Sequence, residues 1–246
     1  MKIVNIRPLC TFFLCAALAD PMQAAIVTET ETDGTSVNNS LVTAQAIAGA
    51  SFTTPIPAGV FNPPGYATAT LEGSNSGDDV DFFRFFANPG WVYLDMDNVN
   101  PTFDPLVALF DGSGTLIAYG DDSDLDSGSV NTVDSFVGPV FLPVAGTYYI
   151  GVSQFANLPT AALTGTETPI ARPDGKDGGL AVTGVAPGVA TYDFNGTQPG
   201  NAFYTLHVSL GTGAPNAVPE PTTYALSGAA LLLIGAIGRR NKSNNQ

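Results

Sequence analysis

The central part of this chain is built from short aromatic and β-branched runs cut by turn residues, and that pattern limits the fold more than any other feature. Residues 81–87 (DFFRFFA), 91–97 (WVYLDMD), 105–111 (PLVALFD) and 115–119 (TLIAY) follow in close order, and 147–153 (TYYIGVS) and 202–210 (AFYTLHVSL) come later. Asn88-Pro89-Gly90, Asp111-Gly112-Ser113-Gly114 and Ala145-Gly146 separate them, supplying the backbone angles that tight turns require. The last run alternates, with Tyr204, Leu206, Val208 and Leu210 on one face and Thr205, His207 and Ser209 on the other. This places His207 on a polar, surface-facing side. No segment of the body keeps a 3.6-residue apolar period, so the expected fold is all-β, an antiparallel β-sandwich.

Both ends read as processing segments. Lys2 and Arg7 precede an apolar run over residues 8–18, and Met22-Gln23-Ala24 offers small-residue cleavage chemistry before Ala25. Residues 1–24 are therefore expected to be a signal peptide removed by signal peptidase, the run being too short to span a bilayer. Cys10 and Cys15 are the only cysteines in the chain and both fall inside that segment. The exported body is then expected to use neither a disulfide nor a thiolate site.

At the other end, residues 212–221 form a linker ending in Val218-Pro219-Glu220-Pro221. An apolar stretch over 224–238 and Arg239-Arg240 follow, within a tail spanning 222–246. Fifteen residues of helix reach roughly 22 Å, short of a hydrocarbon core of about 30 Å unless the arginines snorkel. The arginines predict a cytoplasmic C-terminus with the body on the far side of the membrane. This order of elements resembles the PEP-CTERM sorting signal of Gram-negative bacteria. The resemblance implies recognition of Pro219, Glu220, Pro221, Arg239 and Arg240 by an exosortase-like enzyme, transient membrane anchorage, and delivery to the envelope, surface or matrix. It also associates the chain with exopolysaccharide and biofilm. An ordinary tail anchor is the alternative.

Export changes the charge balance. The whole chain carries −14, but residues 25–221 hold twenty-one acidic residues against Arg84, Arg172 and Lys176, a net −18. Such a surface repels nucleic acid and attracts cations. Its wealth of Phe, Tyr, Ile, Leu and Val argues against disorder, and roughly 190 residues suffice for one packed domain.

Asn38-Asn39-Ser40 with Ala44-Gln45, then Asp79-Val80-Asp81-Phe82-Phe83, Asp104-Pro105-Leu106, Leu109-Phe110-Asp111, Asp121-Asp122-Ser123 and Gly146-Thr147-Tyr148-Tyr149-Ile150 occur in this order. Together they resemble the bacterial pre-peptidase C-terminal (PPC) domain. The resemblance covers about residues 30–155 and the final strand of a body spanning 25–211. It implies a jelly-roll-like sandwich found beside secreted proteases and in non-catalytic surface proteins, often with calcium. Residues 156–200 depart from it as a Pro/Gly/Thr-rich insertion, in which 179–184 and 190–194 are expected to pair as an added hairpin.

Between Asp78 and Asp126 there are eleven aspartates and one basic residue, Arg84. Carboxylates crowded at strand ends must be solvated, protonated or bridged, and calcium takes roughly six to eight oxygens in flexible geometry. Asp79, Asp81, Asp104, Asp121, Asp122 and Asp124 are the candidate ligands, simple solvation being the alternative. The loop over 121–126 lacks the glycine and distal glutamate of an EF-hand.

Catalytic signals are sparse. His207 is the only histidine, no Gly-x-Ser-x-Gly elbow is present, and zinc lacks donors. A carboxylate-only hydrolase remains open. Trp91 and Tyr93 either stack on a sugar ring or pack across strands. Three classes follow: a non-catalytic surface or matrix module, a carbohydrate- or exopolysaccharide-binding protein, and a secreted hydrolase.

Overall fold

A computed structural model describes residues 26–31, 37–54, 60–61, 65–76, 79–97, 103–126, 128–129, 132–155, 157–188, 190–194 and 201–211. The expected signal peptide (1–24), the linker, and the tail with Pro219, Glu220, Pro221, Arg239 and Arg240 lie outside the described residues. Among the described residues no helix is long and apolar enough to cross a membrane.

The chain is all-β. In order the strands are β1 (Ile26–Thr28), β2 (Gln45–Ala46), β3 (Ala67–Ser76), β4 (Val80–Ala87), β5 (Gly90–Asp97), β6 (Pro105–Phe110) and β7 (Leu116–Gly120). They continue as β8 (Phe136–Leu142), β9 (Gly146–Gln154), β10 (Asn157–Pro159), β11 (Thr166–Ala171), β12 (Asp177–Thr183), β13 (Tyr192–Phe194) and β14 (Asn201–Gly211). One sheet has the order β1-β3-β14-β5-β8 and the other β11-β12-β7-β6-β9-β4-β2, with β10-β13 as a separate pair.

The two larger sheets share one core. Ala69, Leu71, Val92, Leu94, Leu206 and Val208 of the first pack with Phe83, Phe85, Val107, Leu109, Ile150 and Val152 of the second. The alternation seen in the last run is realised in register: Leu206 lies opposite Leu71 on one side and Met96 on the other. One flank of the sandwich closes where β8 meets β7 and β12. A Cβ on Gly120 would strike the Phe136 carbonyl, and Gly179, at φ +82°, brings its backbone against the Tyr119 and Phe136 carbonyls.

Three expectations need correction. The sheets are mixed, because β1 pairs parallel with β3 and β2 parallel with β4. Neither pair is joined by a tight turn: the chain runs from β1 to β2 in the other sheet before returning to β3, so no hairpin fixes their direction. The expected hairpin between 179–184 and 190–194 does not form. Instead β12 pairs with β11 and the edge of β7, while β13 pairs with β10, each satisfying a nearer open ladder. His207 is buried instead of surface-facing, because the outer side of the first sheet is itself covered.

Candidate metal centres

The first centre forms where both sheets approach each other at the chain's start. Glu29 extends the β1 ladder by donating its backbone N–H to the Glu72 carbonyl at 2.8 Å. Glu29 and Glu31 flank a bend at Thr30 just after β1, and Asp79 immediately precedes β4, in which Asp81 lies. All four are buried, and Glu31, Asp79 and Asp81 each offer an oxygen within 4.8 Å of the others.

Donors hold this cage in place. Glu29 accepts from Asn38 Nδ2 at 2.7 Å and from the Ser74 N–H at 2.8 Å. Asp79 accepts from the Val80 N–H at 2.9 Å, and Asp81 Oδ2 accepts from the Tyr204 hydroxyl at 2.8 Å. Yet Asp81 Oδ1 and Asn38 Oδ1, both on fully buried residues, accept nothing. No basic side chain pairs with Glu29, Asp79 or Asp81 among the described residues.

The electrostatics follow from this. Burial, then Glu31, pushes Asp79 up to about 6. Burial, then the charges of Glu29 and Asp79, holds Asp81 well above the carboxylate range, and burial raises Glu29. Without a cation, the cage must hold protons that its oxygens would otherwise give up. Beside it an open cleft of about 350 Å³, lined by Thr28, Glu72, Gly73 and Phe203, leads to Glu29 and Glu31.

The six aspartates nominated from the sequence divide among three places. Asp79 and Asp81 join the cage. Asp104, Asp121 and Asp122 meet at the ends of β6 and β7, again with oxygens within 4.8 Å, but Asp122 is exposed and the other two are half-buried. Burial, then Asp104 and Asp122, raises Asp121 to about 7. Asp124 stands apart, exposed, accepting from the Asp177 N–H at 3.4 Å.

Glu29 and Glu31 were missed as ligands. A third carboxylate group was missed too: Asp95 and Asp97 of β5 with Asp126, on the outer face of the first sheet. Covering this face, Arg172 is wholly buried, donating to Asp126 Oδ2 at 2.7 Å and Asp174 Oδ2 at 2.8 Å. Its guanidinium lies 4.1 Å from the Phe61 ring centre and 4.2 Å from that of Phe136.

His207 lies on that covered face, its Nδ1 at 2.9 Å from the Thr70 hydroxyl and its Nε2 at 3.5 Å from Asp97 Oδ2. Burial lowers it to about 4, so it is neutral near pH 7. Tyr93 is fully buried and so cannot stack on a sugar, whereas Trp91 is half-buried against Phe141 with ring centres 5.1 Å apart. Trp91 also lines an open cleft of about 220 Å³ with Phe52, Phe86 and Asn88.

No family model matches the chain, and no curated protein does either. Solved structures similar to it include periplasmic lysozyme inhibitors of g-type lysozyme, named PliG. The Aeromonas hydrophila protein is 15% identical, with 62% of this chain and 93% of that one covered and a TM-score of 0.27. The Salmonella Typhimurium protein is 15% identical over 62% and 94% of the two chains, also at 0.27. Likeness at that TM-score carries neither fold nor function to this chain.

Proposed function

We propose that this protein is an exported, non-catalytic β-sandwich of the cell surface or extracellular matrix, locked by calcium at Glu29, Glu31, Asp79 and Asp81. The observation that carries the reading is the cage itself: Glu29, Asp79 and Asp81 are buried with no basic partner among the described residues, and two acceptor oxygens are left unsatisfied inside. Every donor atom available is oxygen, which suits calcium and not zinc. Asp104, Asp121 and Asp122 supply a second, more open set for the same ion.

The non-catalytic reading rests on access. The one histidine is buried beside Thr70, itself buried, so no hydroxyl nucleophile faces solvent there. Exopolysaccharide binding is the second reading, favoured by Trp91 and exposed Phe86 in one open cleft. Sorting by an exosortase-like enzyme belongs to the same proposal and rests on the Pro219-Glu220-Pro221 and Arg239-Arg240 segments.

Calcium titration tests the cage. At a hundredfold excess over Kd, one bound ion adds about 2.7 kcal/mol and raises Tm by roughly 5–10 °C for a domain of this size. EDTA should lower Tm, and Asp79→Asn should blunt both responses. An identical melting curve with calcium and with EDTA would refute the proposal.

A further inference from the structure

We propose a further cation site on the outer face of the first sheet, apart from the Asp104 set, formed by Asp95, Asp97 and Asp126 and taking a hard divalent cation such as calcium. It does not depend on the Glu29 cage, which lies in another part of the molecule and uses none of the same residues.

The three carboxylates come from two elements. Asp95 and Asp97 alternate along β5 and point the same way, and Asp126 is brought to them by Arg172 from the β11–β12 turn. One oxygen from each lies within 4.8 Å of the others. That separation is the span of a coordination shell with Ca–O bonds of about 2.4 Å. Asp95 Oδ2 accepts from the Phe61 N–H at 3.0 Å, and Asp126 Oδ1 from the Ser129 hydroxyl at 2.5 Å.

Asp97 is the independent pointer. It is 1% exposed, and neither of its oxygens has a hydrogen-bond partner. His207 Nε2 approaches Oδ2 to 3.5 Å without bonding it. A buried carboxylate in that state needs a proton or a cation. A proton on Asp97 would have the neutral His207 Nε2, at a long 3.5 Å, as its acceptor. A cation instead uses the lone pairs that point at nothing else.

Charge balance favours the same answer. Asp134, fully buried, adds its charge to Asp97, while Arg172 divides its single positive charge between Asp126 and Asp174. Arg172 also offsets part of the Asp95 charge, whereas Asp97 gains no such offset from a basic side chain. Water completes the shell, as calcium sites allow.

The test counts bound calcium in the full chain in mild detergent, by dialysis with metal analysis and by calorimetric titration. Asp97→Asn should remove one calcium equivalent and leave the Asp79-dependent one. Asp79→Asn should do the reverse. The Asp97→Asn substitution also removes an unpaired buried charge, so this variant should melt above wild type in EDTA and lose that advantage in calcium. An unchanged calcium count in Asp97→Asn overturns the site, whatever Asp79→Asn does. If that variant does not fold, Asp95→Asn replaces it, and a full calcium complement on its folded form overturns the site equally.

Discussion

At the scale of single residues, Asp79 carries a pH dependence whose sign is fixed by its surroundings. Burial, then Glu31, raises its folded pKa to about 6, whereas an unfolded chain releases that proton near 3.8. Folding therefore takes up a proton between these values, and stability falls as pH rises through the window. The contribution is complete below about pH 4 and is lost by about pH 7. Metal-free wild type should lose ~2 kcal/mol relative to Asp79→Asn across that range, read from urea midpoints. His207 acts in the opposite direction, since its depressed pKa of about 4 costs stability as pH falls from 6.5. That effect is common to both proteins and cancels in the comparison. Calcium should abolish the difference, and parallel metal-free curves would remove Asp79 from the account. The aspartate content of this region was plain in the sequence. Which aspartates meet was not, because Asp79 and Asp104 belong to different strand ends and Asp124 faces solvent.

At the scale of elements, the β11–β12 turn acts as a clasp. Arg172 enters a slot between Phe61 and Phe136 and pairs with Asp126 and Asp174, so the turn is fastened to the outer face of the first sheet. Arg172→Met keeps the packing volume but leaves Asp126 and Asp174 without their cation, at a cost of about 3–5 kcal/mol. Arg172→Lys should recover only part of this, since a compact ammonium lacks the rigid planar fork and cannot stack flat on a ring. Urea unfolding of the three proteins measures both, and a neutral Arg172→Met would dissolve the clasp. Six strands were legible from aromatic runs and turn residues. β3 and β8 were not. β3 (ATATLEGSNS) is small and polar yet central, because its neighbours supply the bulk. β8 (FVGPVFL) is broken by Gly138-Pro139, which reads as a turn, but Pro139 is tolerated because β8 ends its sheet.

At the scale of the whole molecule, both large sheets depend on one core. Leu206→Ala, between Leu71 and Met96, should cost about 2–5 kcal/mol, visible as a drop in urea midpoint. Delivery is checked in the native host by fractionation with mass spectrometry of the mature termini. The expected ends are Ala25 and a residue near Pro221. A mature chain retaining residues 224–240 would leave the sorting proposal without support. The sequence alone determined the β class, the position of many strands and the acidic balance, and it set the expectation that both terminal segments are address labels. These depend on local pattern and composition, which a linear chain displays. Only the tertiary structure decided which carboxylates share a cage, that the outer face of a strand is buried, and that the Arg172 guanidinium is clasped there. Those outcomes depend on contacts between residues far apart in the chain, where burial turns an ordinary acidic residue into a group that must find a proton or a cation.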